Sequence, residues 1–109
     1  MFVMEQSFYE RVYKIASKIP KGKVTTYREI ARKLKSRAYQ AVGTAMNKNP
    51  YSVKKKNQIY VACHRVVNSN GRVGGFASET KNKVKMLKRE GVEVVDGKVD
   101  LKIYGWKNF

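Results

Sequence analysis

The chain has 109 residues, with 24 lysines and arginines against eight acids, for a formal net charge of +16. That length holds one small domain with a single core, read as residues 1–109, and no apolar run approaches the ~20 residues of a membrane helix. One cysteine excludes an internal disulfide, and one cysteine with one histidine cannot by themselves hold a structural zinc ion.

The expectations that follow are a monomeric, cytoplasmic protein with no signal peptide, no membrane association, no metal and no cofactor. Charge placement adds a partner. No acid lies between Ile30 and Ser78, a span carrying Arg32, Lys33, Lys35, Arg37, Lys48, Lys54, Lys55, Lys56, Arg65 and Arg72. A polyanion, nucleic acid above all, matches such a block.

In chain order, Ser7-Phe8-Tyr9-Glu10 is a capping box. Phe8, Val12, Ile15, Ala16 and Ile19 then form one apolar stripe at helical spacing, with Pro20 and Gly22 as the stop. Thr26-Tyr27-Arg28-Glu29 is a second capping box, opening a short helix with Ile30, Ala31 and Leu34 inward. After a break at Ser36-Arg37, a third helix runs from Ala38 to Asn49 and stops at Pro50. Val42, Ala45 and Met46 share its inner face; Gln40, Gly43, Thr44 and Asn47 share a small, polar outer face. Two short helices joined by a tight basic turn read as a helix-turn-helix.

Tyr51 to Tyr60 is a polar loop centred on three lysines. Val61 to Val67 is β-rich and leads into Asn68-Ser69-Asn70-Gly71, a turn that returns Arg72-Val73 as a short strand, a wing beside the helix-turn-helix. A long helix covers about Ser78 to Glu90 with Val84 and Leu87 inward, and Gly91 ends it. Asp96-Gly97 centres a hairpin of Val92–Val95 with Lys98–Leu101, and Tyr104-Gly105-Trp106 packs back on the body. The fold class is mainly α with small β-hairpins, a winged helix-turn-helix.

Within Val61-Ala62-Cys63-His64-Arg65-Val66-Val67 stand the only cysteine and the only histidine. A thiol reacts as thiolate, which an adjacent base or positive charge promotes. A lone cysteine in an apolar run also reads as a small buried hydrophobe, so this stretch alone leaves both open.

The order of short motifs separates them. Gly22-Lys23-Val24-Thr25-Thr26-Tyr27, Ala41-Val42-Gly43 through Asn49-Pro50, Cys63-His64-Arg65-Val66, Gly74-Gly75-Phe76 and Glu90-Gly91 follow one another as in a known family. The chain resembles the C-terminal, active-site domain of the O6-alkylguanine-DNA alkyltransferases from Phe8 to Gly91. The resemblance implies double-stranded DNA containing O6-alkylguanine as partner, a base flipped into a pocket, and irreversible, single-turnover alkyl transfer to Cys63. It implies Glu90 orienting His64, His64 taking the thiol proton through a water, Tyr27 donating to the guanine, and Asn49 bracing the cysteine turn. Met46, Val66, Gly75, Phe76 and Ala77 would line the pocket. Thr26, Tyr27, Arg37, Tyr39, Gln40, Gly43, Thr44, Asn47 and Arg65 would contact DNA.

The chain departs from the family at four places. Gln40 stands where an arginine usually fills the gap left by the flipped base, Ala62 where a proline precedes the cysteine, and Phe76 where a tyrosine is usual; the 51–60 loop is longer. Two alternatives stay open. Short alkyltransferase-like proteins share this length and the Tyr-Gly-Trp tail, bind the lesion without repairing it and flag it to excision-repair proteins. They typically carry tryptophan at the position of Cys63. The other alternative is a plain winged-helix DNA-binding module with a structural cysteine.

Overall fold

The Ser7 hydroxyl accepts from the Glu10 N–H at 3.2 Å, and α1 (Phe8–Ala16) follows from that cap. The computed structural model describes residues 7–74 and 77–109, with the backbone alone over 77–80. Past Ala16, i→i−3 bonds from Lys18 and Ile19 tighten the chain. They drop Ile19 into the core beside Val12 and Ala16. Tyr13, which lies outside the apolar stripe of the sequence, is buried as well, because its hydroxyl donates to the Ala45 carbonyl at 2.9 Å.

Thr26 caps α2 (Tyr27–Lys33), its hydroxyl accepting from the Glu29 N–H at 3.1 Å. Lys35 then enters the left-handed region at φ 56°, and Ser36 N–H reaches back to the Ala31 carbonyl at 2.9 Å. The chain reverses there into α3 (Tyr39–Asn47), which buries Val42, Ala45 and Met46 against α1 and α2. These three helices enclose the first core cluster.

β1 (Thr25–Thr26) pairs in parallel with β2 (Val66–Val67), Thr25 opposite Val66 and Thr26 opposite Val67. Two expectations are corrected here. The 61–67 run is not one strand, because Cys63–Arg65 form a turn of 3₁₀ helix closed by Arg65 N–H on the Ala62 carbonyl at 3.0 Å. Nor does Arg72 fold back on β2 as a strand; it bridges Lys98 in antiparallel fashion. Alternation of apolar residues cannot reveal either, since the turn is held by side chains from distant elements.

α4 (Ala77–Arg89) ends where Gly91 N–H meets the Lys88 carbonyl and Val92 N–H the Leu87 carbonyl, each at 3.0 Å, with Gly91 at φ 87°. This is a Schellman close, and it leaves Glu90 as the residue at the helix end. Asp96 and Gly97 at φ 53° and 75° form the turn joining β3 (Val94–Val95) to β4 (Lys98–Val99). α5 (Leu101–Tyr104) starts on the Asp100 carboxylate, so Leu101 opens a helix rather than ending the second strand of the hairpin. Val24, Val67, Val73, Leu87, Val92 and Val99 form a second core cluster. The β1–β2 pair stands between the two clusters, so the turn before β2 is held from both sides.

Among the described residues no helix is long and apolar enough to cross a membrane.

Candidate active site and helix-turn-helix face

Cys63 lies half-buried on the 3₁₀ turn. Its thiol donates to the Met46 carbonyl at 3.3 Å, and its sulfur accepts from Asn49 Nδ2 at 2.8 Å. The same amide donates to the Val61 carbonyl at 2.8 Å, while Asn49 Oδ1 accepts from Tyr51 N–H at 2.9 Å. Asn49 therefore ties the end of α3 to both sides of the cysteine turn. Burial pushes the Cys63 thiol up; the Asn49 bond and the Lys83 charge pull it the other way.

His64 is 4% exposed, and its Nε2 lies 2.8 Å from Glu90 Oε2. Arg65 Nη2 reaches the same oxygen at 2.7 Å, its Nε lies 3.0 Å from Oε1, and its Nη1 donates to the Ile19 carbonyl at 2.9 Å. Burial by itself would raise the Glu90 carboxyl, but the bonds from Arg65 and His64 outweigh it and hold it at about 2. His64 is pushed below its usual value by burial, with the Arg65 and Lys83 charges adding to it against the pull of Glu90. The ring is therefore neutral at pH 7. With Nε2–H donated to the carboxylate, Nδ1 is left as the proton acceptor. Among the described hydrogen bonds none joins Cys63 to His64 directly, so proton transfer between them needs a bridging molecule.

Tyr27 is the first residue of α2 and packs against the same core cluster as Cys63. Burial, then the nearby Cys63, raises its phenol, which stays a proton donor.

Four expected positions are corrected by burial. Arg65, 9% exposed, points inward to Glu90 and Ile19 and offers no guanidinium to an external partner. Thr26 is nearly buried, with its hydroxyl engaged as the α2 cap. Val66 at 0% exposure and Met46 at 5% sit in the core beneath the site, so neither side chain forms an open pocket wall. Gly75 and Phe76 lie outside the described residues, as does the Ala77 side chain.

The outer face of the helix-turn-helix is open. Arg37, Tyr39, Gln40, Thr44 and Asn47 are exposed and Gly43 is half-exposed. The Arg28 guanidinium lies over the Tyr39 ring at 5.4 Å, and a hollow of about 310 Å³ runs between Tyr27, Gln40, Gly43 and Ser69.

Sequence reasoning missed Lys83. It is half-buried, its Nζ donating to the Val66 and Val73 carbonyls at 3.0 and 3.1 Å, and its charge acts on both Cys63 and His64. Its signal was position, since residues 83, 87 and 90 fall on one face of a helix and Leu87 and Glu90 face inward. Among the described residues no three His, Cys, Asp or Glu side chains group as metal ligands.

The arrangement defines a class: a helix-turn-helix domain carrying a thiol beside an imidazole–carboxylate pair. Residues 7–92 match the family described as 6-O-methylguanine DNA methyltransferase, DNA binding domain. A methylated-DNA–protein-cysteine methyltransferase of Methanosarcina barkeri is 43% identical over 84 residues, 76% of this chain and 49% of that protein. The chain thus spans about half the length of this curated relative. Among solved structures, S. pombe Atl1 in complex with damaged DNA containing O6-carboxymethylguanine superposes with a TM-score of 0.76 at 32% identity. It covers 96% of this chain and 99% of its own. The O6-methylguanine-DNA methyltransferase of Pyrococcus kodakaraensis gives a TM-score of 0.63 at 36% identity, over 80% of this chain and 47% of that one. The chain belongs to the 6-O-methylguanine DNA methyltransferase family.

Proposed function

We propose that the chain repairs O6-alkylguanine in duplex DNA by taking the alkyl group irreversibly onto Cys63. The observation that carries this reading is the Cys63 thiol, half-buried between Asn49 and Met46 and next in sequence to an imidazole held by Glu90.

The basic, low-relief helix-turn-helix face receives the duplex, and the alkylated base swings out toward Cys63. The Cys63 proton passes through a water to His64 Nδ1, and Glu90 stabilises the imidazolium that forms. The thiolate attacks the alkyl carbon: a C–S bond forms and the C–O6 bond breaks. The negative charge growing on the guanine is stabilised by the Tyr27 hydroxyl, which donates to it, and the proton taken up by His64 then passes to the guanine and leaves both neutral. The resulting thioether has no second thiol to release it, since the chain holds a single cysteine. One lesion consumes one protein.

A second reading is favoured by a specific likeness. S. pombe Atl1 matches over nearly its whole length, whereas the curated methyltransferase is matched over half of its own. In this reading the chain grips the lesion without reacting and excision-repair proteins collect the complex. The resting thiol, raised by burial, is compatible with it.

Intact-mass measurement after incubation with duplex DNA bearing O6-methylguanine decides between them. Transfer adds one methyl mass on the peptide containing Cys63. Full lesion binding with an unchanged mass would eliminate transfer in favour of the sensor.

A further inference from the structure

We propose that a cleft between the helix-turn-helix and the C-terminal tail is a second seat for the DNA sugar–phosphate backbone, flanking the helix-turn-helix contact. The inference rests on the duplex-binding reading above.

The cleft holds about 690 Å³, enough for a nucleotide-sized element. One wall is β1 and α2, with Thr25, Arg28 and Arg32; the other is the tail, with Lys102, Trp106 and Lys107. The tail is fixed in place: Val24 N–H donates to the Tyr104 carbonyl at 2.9 Å and Trp106 N–H to the Val24 carbonyl at 2.8 Å. The Trp106 and Phe109 rings meet edge-on at 5.0 Å.

Four cations line this space against one carboxylate, Glu29. Glu29 lies 3.6 Å from Arg32 Nη1 and 3.7 Å from Lys107 Nζ, loose pairs in which both cation side chains are about two-thirds exposed. Such pairs contribute little and yield readily to a stronger anion.

Continuity decides the kind of anion. Arg28 and Ser69 line both this cleft and the hollow on the helix-turn-helix face beside Gln40 and Gly43. A polyanion seated on that face runs into the cleft without leaving the surface. An acidic protein segment would use the same cations, but nothing in its chemistry calls for that continuity.

Trp106 is the only tryptophan and therefore a reporter of the cleft. A duplex of about 20 base pairs, roughly 68 Å at 3.4 Å per step, exceeds the protein's 50 Å long axis. Saturating binding to it is expected to change Trp106 emission. In Lys102→Ser/Lys107→Ser the logarithmic salt dependence of binding becomes shallower by about 2, near 0.9 for each phosphate no longer neutralised. Tight binding with unchanged emission and an unchanged salt slope in the double variant overturns this inference alone and leaves the cleft to a protein partner. Absence of affinity for any duplex overturns the duplex reading with it.

Discussion

Glu90 and His64 meet across 26 positions of chain through a 2.8 Å bond between carboxylate and Nε2. The Schellman close of α4 makes that meeting possible, because it fixes Glu90 at the last turn just as the backbone leaves the helix axis. Arg65 completes the cluster from the residue next to the imidazole. Glu90→Gln keeps the shape but leaves the inward Arg65 charge without its counterion. We expect a loss of about 3 kcal/mol in denaturant-unfolding stability, together with loss of alkyl transfer in a single-turnover assay.

Stability depends on pH through the same pair. The folded-state value of Glu90, about 2, lies below its unfolded value, so its contribution is complete above about pH 4.3 and is lost as pH falls toward 2. It amounts to about 3 kcal/mol at most. His64 is also depressed in the folded state, so its neutral form adds stability that begins to fall below about pH 6.5. Thermal unfolding between pH 7 and 2.5 should show continuous acid destabilisation. In Glu90→Gln the limb below pH 4.3 should flatten, and an unchanged limb would refute the assignment.

Asn49 and Lys83 both lower the Cys63 thiol against the effect of burial. Asn49→Ala and Lys83→Gln should each slow the reaction of Cys63 with a disulfide reagent at pH 8, and move its pH profile upward. Asn49→Ala should also cost about 1–3 kcal/mol, since the Val61 carbonyl and Tyr51 N–H lose their partner.

Arg37 is exposed at the entrance to α3, one turn before Gln40. If Arg37 fills the gap left by the extruded base, Arg37→Ala lowers the single-turnover rate on duplex substrate more than on free alkylguanine base. Equal losses on both substrates reject that role.

Gly71, at φ 88°, carries the turn between β2 and the bridge to β4, and its own carbonyl accepts from Val99 N–H at 2.9 Å. A Cβ there would lie 2.4 Å from the Val99 carbonyl oxygen. Gly71→Ala should cost about 2–4 kcal/mol by equilibrium unfolding, from clash and left-handed strain together.

The sequence by itself determined whatever depends on neighbours a few residues apart. The caps at Ser7 and Thr26, the glycine close at Gly91 and the Asp96-Gly97 turn are contacts within one turn of chain, and each formed where its residues predict. The candidate site was legible too, because Cys63 and His64 are adjacent and each is the only one of its kind. Tertiary structure alone decided the rest. The parallel pairing of Thr25 with Val66, the inward turn of Arg65 and Lys83, and the cleft under Trp106 join residues far apart in the chain. A charge in a basic sequence reads as surface until a buried carboxylate or carbonyl is brought to it, and only the closed fold brings Glu90 to Arg65.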